Sequence, residues 1–235
     1  AVTFASVAWA GTLRERVLKD RAREAGLTPT AEVMPDFSPE RSAAGRLLFE
    51  SKKLSLSQEI ACKNCHLDRF GSADGIPNAI GTRGKGEGKE RAMHGGDTLP
   101  RNALPFWGRG AKGFDVFFWD GRVAREGISV QSQFADAPPS SDPLVVAAHL
   151  PMVEIKEMVP DDDAANPYKT ESEGSARAIY RIIEQRVQDD PKLAAALIKA
   201  YAIEPSGITI RHVAESLADF FRDRFRLRDT RFHAF

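Results

Sequence analysis

Cysteine is scarce in this sequence: there are two, Cys62 and Cys65, in the stretch "ACKNCHLDRF". No second cysteine pair and no H-x-x-x-H accompany them, so the ligand set of a structural zinc site is missing. An apolar run of the ~18 residues that a bilayer-spanning helix needs is absent as well. Net charge is zero, with 33 basic and 33 acidic residues, so bulk charge draws the chain neither to nucleic acid nor to an anionic membrane. Internal repeats and low-complexity tracts are lacking. No convincing strand pair can be read, although "DVFFW" has the makings of a short strand or a buried turn. What is present is an ordinary globular composition, 42% hydrophobic and 28% charged, in 235 residues that suffice for one large domain or two small ones.

Helix signals dominate. "TLRERVLKDRAREAG" is built of helix formers and stops at Gly26. "SPERSAAGRLLFESKKL" opens with Ser38 as an N-cap and Pro39 at the first helical position. Further helices are expected over "SARAIYRIIEQRV", "PKLAAALIKAY" and "IRHVAESLADFFRDRF". In the last of these, Val213, Leu217, Phe220 and Phe221 fall on one face. Between about Gly71 and Asn102 the chain is rich in glycine and charge without an apolar period, which reads as a long loop. The N-terminal "AVTFASVAWAG" is apolar, and "AWA" resembles a small-x-small cleavage site. The segment reads as a docking element, with membrane association through it as the other expectation. The expected division is an N-terminal docking segment and helix over 1–36, then a haem domain over 37–235.

C-x-x-C-H is a covalent haem attachment signal. The two thiols form thioethers to one haem, and the adjacent His66 reaches the iron. A disulfide redox motif would sit beside a βαβ unit, which is missing here. A chance match within a core is the plain alternative. Haem c is attached outside the cytoplasm in bacteria, so the expected compartment is the periplasm. The chemistry then depends on the sixth iron position. A histidine or methionine there makes an electron carrier, and an open position makes peroxide or oxygen chemistry. The candidates are His94, His149, His212, His233, Met34, Met93, Met152 and Met158, and spacing does not choose among them.

"GRLLFESKKLS" followed by "ACKNCH" resembles the N-terminal haem domain of bacterial di-haem cytochrome c peroxidases and their MauG-like relatives. "HGGDTLPRNALP" has their H-G-x-x-x-x-P-R-N spacing, "FFWDGR" is similar to their F-W-D-G-R, and "MVEIKEMV" resembles the segment that carries their distal acid. The closing "LADFFRDRFRLRDTRFHAF" is similar to the helix and tail of their first domain. The resemblance spans roughly residues 40 to 235. It implies an all-α, cytochrome c-like helical domain with long loops around one covalent haem c. It implies that Cys62 and Cys65 hold the haem and that His66 is the proximal ligand. His94 stands for the displaceable distal histidine, Trp119 for the tryptophan between two haems, and Glu157 for the carboxylate that moves a proton during O–O cleavage. Asn102 stands near the calcium between the haems.

Two departures from that family pattern matter. No second C-x-x-C-H is present, so the chain carries the peroxidatic-like haem alone. The second redox centre is expected on another chain, docked near Trp119 in a heteromeric complex or dimer. One face there should therefore be unusually apolar. Residues 82–93, "TRGKGEGKERAM", look inserted before His94 and are expected to be mobile, which would let His94 swing or hold it away. The same loop would also serve as a charged docking patch for a redox partner. The expected function is a periplasmic haem oxidoreductase resembling the peroxidatic half of the family. The alternative is a mono-haem electron-transfer subunit without turnover.

Overall fold

The computed structural model describes residues 13–134, 140–161, 168 and 172–228. Helices form over α1 (Leu13–Glu24), α2 (Thr30–Val33), α3 (Pro39–Glu50), α4 (Lys89–Met93), α5 (Pro143–His149), α6 (Glu173–Asp189), α7 (Pro191–Tyr201) and α8 (Ile210–Arg224). The mostly helical class is as expected. Short polar caps start the main helices. The Ser38 hydroxyl accepts from the Arg41 amide at 3.2 Å, and Asp190 accepts from the amides of Lys192 and Leu193.

The centre of the molecule is the crossing of α3 and α8, with α5, α6 and α7 around it. Glycine makes this crossing possible. A Cβ at Gly45 would lie 2.0 Å from the Ser216 carbonyl oxygen, so only hydrogen fits between the two backbones. Leu48 and Phe49 of α3, Val213, Leu217, Phe220 and Phe221 of α8, and Ile179 and Ile183 of α6 are all buried there. The face inferred for the last helix is therefore the one that packs.

The absence of paired strands is corrected by the structure. A small antiparallel sheet runs β1 (Val116–Phe117), β2 (Val123–Glu126), β3 (Ser129–Gln131) in that order. Phe117 pairs with Val123, and Arg125 with Val130. "DVFFW" thus contributes β1, and the turn between β1 and β2 carries the F-W-D-G-R motif. The strands are two to four residues long, too short for alternation to be visible in sequence.

The segment before His94 is also firmer than expected. Arg91 is buried and donates from Nε to the Ile80 carbonyl (2.6 Å), from Nη2 to Gly81 (2.7 Å) and from Nη1 to Gly84 (2.8 Å). Arg83 pairs with Asp97 across the same loop, and Thr82 donates to Asp97 at 2.5 Å. The inserted residues wrap an internal guanidinium, which satisfies carbonyls that a loop would otherwise leave to water.

Candidate haem-binding site

A 3₁₀ turn over Cys62–Asn64 builds the first part of the site. The Asn64 side chain accepts from the Ala61 amide at 2.8 Å, and the Cys65 and His66 amides both donate to the Cys62 carbonyl. In such a turn residues i and i+3 eclipse each other, so Cys62 and Cys65 present both sulfurs on one side. Burial, followed by the charge of Glu157, pushes the Cys62 thiol up to about 12. Burial also takes Cys65 to about 12, with Arg91 opposing and Glu157 and Asp74 adding to the rise. A disulfide-exchanging C-x-x-C works by lowering a thiol pKa, so these two thiols are tuned the other way.

His66 follows on the same turn. Its Nδ1 lies 2.8 Å from the Ser72 carbonyl. Burial lowers its pKa to about 4 against the pull of the Ser72 and Leu104 carbonyls, so the ring is neutral. A neutral imidazole that gives its Nδ1 proton to a carbonyl keeps a lone pair on Nε2, the form that binds a metal. The ring stacks on Phe106 with centroids 4.0 Å apart, and Phe106 stacks on Phe221 of α8 at 4.3 Å. The last helix therefore fixes the plane of the imidazole.

Glu157 comes from a distant part of the chain. It lies on a turn clamped from two directions: the Leu56 amide donates to Met158 at 2.9 Å and the Thr82 amide to Lys156 at 2.8 Å. A Cβ at Gly81 would fall 1.7 Å from the Lys156 carbonyl oxygen, so the close approach again requires glycine. Burial, and secondarily the charge of Glu154, raises Glu157 to about 8, with Arg122 opposing. The charge of Glu157 raises both thiols, so its carboxyl lies within electrostatic reach of the two cysteines.

Trp119 and Asn102 meet at the surface. The indole Nε1 donates to the Asn102 backbone carbonyl at 3.2 Å, and the side chain is 54% exposed. Trp119 is thus a surface side chain and not part of the core. Arg122 connects this turn to the acid. Its Nη2 donates to Asp120 at 2.8 Å and its Nη1 to Glu154 at 2.7 Å. The same guanidinium holds the Asp120 carboxyl down to about 2. Arg122 and Glu154 were not singled out from sequence. The F-W-D-G-R motif already contained Arg122, and its carboxylate partners gave the signal. Arg91, equally missed, left no signal beyond being a basic residue in a glycine-rich loop.

His94 is not brought into that cluster. It is half-exposed, at the end of α4, with Nε2 3.7 Å from the Glu90 carboxylate. It lines an open cleft of about 730 Å³ together with Asn64, Arg91, Lys52 and Lys85. Among the other candidates, His149 is enclosed in the core, Met34, Met152 and Met158 are buried, and Met93 is exposed. His212 takes the amide of Thr209 at 3.1 Å as part of the cap of α8. His233 and the segment "AVTFASVAWAG" lie outside the described residues. Among the described residues, no cluster of three or more His, Cys, Asp or Glu side chains is arranged to hold a metal ion.

These residues fit a covalently held haem. Cys62, Cys65, His66 and Glu157 sit deep enough for burial to dominate their pKa values, yet each keeps partial exposure. Cys62 and Cys65 pack against the edge of the core, and none of the four is fully closed off from solvent. Two protonated thiols and a neutral imidazole beside them, with Phe106 stacked on the ring, are the donor set that the group requires.

A sequence model of di-haem cytochrome c peroxidases matches residues 39–235. The chain belongs to the di-haem cytochrome c peroxidase family. Within it, 110 residues are 32% identical to the methylamine utilization protein MauG of Methylorubrum extorquens, covering 45% of this chain and 26% of MauG. The fold is similar to the crystal structure of a MauG-like protein associated with microbial copper homeostasis. The TM-score is 0.52 at 21% identity, over 80% of this chain and 41% of the other. It is likewise similar to a variant of the dihaem peroxidase BthA from Burkholderia thailandensis. Here the TM-score is 0.52 at 16% identity, over 83% of this chain and 42% of the other. The chain thus spans about a quarter of MauG and about two fifths of these family structures.

Proposed function

We propose that this chain is the haem-bearing, peroxide-reducing part of a periplasmic oxidoreductase that takes its electrons through a second redox centre. The observation that carries the reading is Glu157, a largely buried carboxyl with a raised pKa whose charge reaches both Cys62 and Cys65. Cys62 and Cys65 would hold a single haem c through thioethers, with His66 Nε2 on its iron. The haem, when bound, supplies peroxide binding and electron exchange. Glu157 takes a proton at one oxygen of the peroxide and returns it to the other, which is general acid–base work that needs a pKa near the working pH. Burial excludes water from that transfer. Arg122 positions the acid by holding Glu154 beside it, and couples it to the turn that bears Trp119.

Electrons would enter at Trp119. Trp119 is itself a large exposed aromatic, and Val116 of the adjoining strand is exposed as well, the kind of apolar side chains that partners cover. We assign this face to a haem-bearing partner subunit or redox protein, in a heteromer or a dimer. Asn102, in contact with Trp119, would sit near a calcium ion at that interface. Residues 1–36 form a separate docking element in this reading. Helix α1 buries no residue and presents Leu13, Val17 and Leu18. No helix among the described residues is long and apolar enough to cross a membrane.

The alternative, a carrier without turnover, needs a side chain fixed on the iron. His94 would have to leave its exposed pairing with Glu90 to serve. Optical spectra of the ferric and dithionite-reduced protein, with and without CO, test the two. A shift of the reduced Soret band with CO supports the catalytic reading, and indifference to CO supports the carrier. A haemochrome assay that finds no haem bound to the chain overturns both.

A further inference from the structure

Behind the Glu154–Glu157 turn lies a buried pair that the chemistry above does not use. His149, at the end of α5, is fully enclosed, and its Nδ1 lies 2.5 Å from the Tyr180 hydroxyl of α6. The rings meet edge to face with centroids 5.3 Å apart. Tyr180 is 3% exposed, and His149 Nε2 is buried without a partner. The direction of the bond follows from these contacts. Were the imidazole the donor, both the phenol hydrogen and the Nε2 lone pair would go unmatched. With the phenol donating, one N–H alone is left over. An apolar pair would fill this place without stranding a polar atom, so the pair costs stability.

A phenol hydrogen-bonded to an imidazole base has a specific capacity. Removing one electron turns the hydroxyl into a strong acid, and an acceptor already in line takes the proton without solvent. Burial lowers His149 to about 3, so the pair stays neutral until that moment. Burial and the charge of Glu154 both raise the Tyr180 pKa, so the phenol is not lost as phenolate.

We propose that Tyr180 and His149 form a proton-coupled one-electron donor. The phenol gives an electron to a haem that peroxide has oxidised, the Oη–H bond breaks, and the proton passes to Nδ1 of His149. The products are a neutral phenoxyl radical and an imidazolium, and both return to the starting pair when one electron is supplied. The pair holds an oxidising equivalent inside the helical core until the partner's electrons arrive. For its oxidant this inference rests on the function proposed above.

Holoprotein treated with hydrogen peroxide, freeze-quenched and read by EPR tests the pair. A parallel sample is oxidised with photogenerated tris(bipyridine)ruthenium(III), which needs no peroxide. A neutral tyrosyl signal is expected in both. It should vanish in Tyr180→Phe and fall to background in His149→Asn, whose amide oxygen accepts the hydrogen bond but does not take the proton. The other tyrosines are Tyr168 and Tyr201. The double variant Tyr168→Phe, Tyr201→Phe must keep the signal, which secures the test if Tyr180→Phe does not fold. A signal that survives in Tyr180→Phe, disappears in the double variant or is missing from both oxidations overturns the proposal. A signal with ruthenium(III) alone upholds the pair as a redox site and overturns instead the peroxide chemistry from which its oxidant was taken.

Discussion

A carboxyl group at position 157 whose pKa lies near 8 carries its proton through most of the neutral range. The base form grows as pH rises from 6 toward about 8, so peroxide turnover limited by that base should climb over the same window. Glu157→Gln should lower turnover by ~10²–10⁴-fold and abolish the climb. Stopped-flow rates across pH check this, and an unchanged profile would remove Glu157 from the mechanism. The same shift has a sign for stability. In the unfolded chain Glu157 ionises near 4.5, whereas in the fold it ionises near 8. Its neutral form therefore stabilises the fold fully below 4.5, and that contribution is lost as pH rises through 8. Residue identity alone did not reveal this. Glutamate is seldom buried, and a turn clamped by Leu56 and Thr82 holds this one largely out of water.

Helices α3 and α8 set the scaffold, and a single missing methyl group sets their distance. Gly45→Ala places a Cβ against the Ser216 carbonyl. The helices must then separate, which should cost about 1–3 kcal/mol. Thermal melts should show a Tm lower by several degrees, at ~2–4 °C per kcal/mol for a chain of this size. The segment over residues 82–93 depends on Arg91 in the same way. Arg91→Met keeps much of the stem but strips the carbonyls of Ile80, Gly81 and Gly84 of their donor. Trypsin should then cut at Arg83 and Lys85 at concentrations that leave the parent chain intact, and equal resistance would contradict the role. Composition pointed to a loose loop because glycine and charge dominate it. The guanidinium that organises it is one residue, and nothing in the local pattern marks it as internal.

For the whole molecule the open question is what covers the Trp119 face. Trp119→Ala removes an exposed side chain with one hydrogen bond, so folding stability should move by ~0.5 kcal/mol or less. Dithionite, a small reductant that reaches the haem directly, should reduce the variant as before. Reduction by a soluble cytochrome c should slow at least ~10-fold, the change expected for an interface anchor worth about 1.4 kcal/mol or more. Equal rates with the protein donor would take Trp119 off the electron route.

What the sequence determined by itself was whatever depends on neighbours along the chain. The helix cap at Ser38, the apolar face of α8 and the C-x-x-C-H turn are short-range facts, governed by local hydrogen bonds and by the 3.6 period. The tertiary structure alone decided what long-range contacts control. It brought the charge of Glu157 to bear on the cysteines, left Trp119 at the surface, drew Arg91 inside and paired Tyr180 with His149. Burial and the charges of distant residues fix a pKa, and those neighbours are chosen by packing rather than by sequence separation. For that reason the chemistry's location was visible from the motif, while its tuning required the fold.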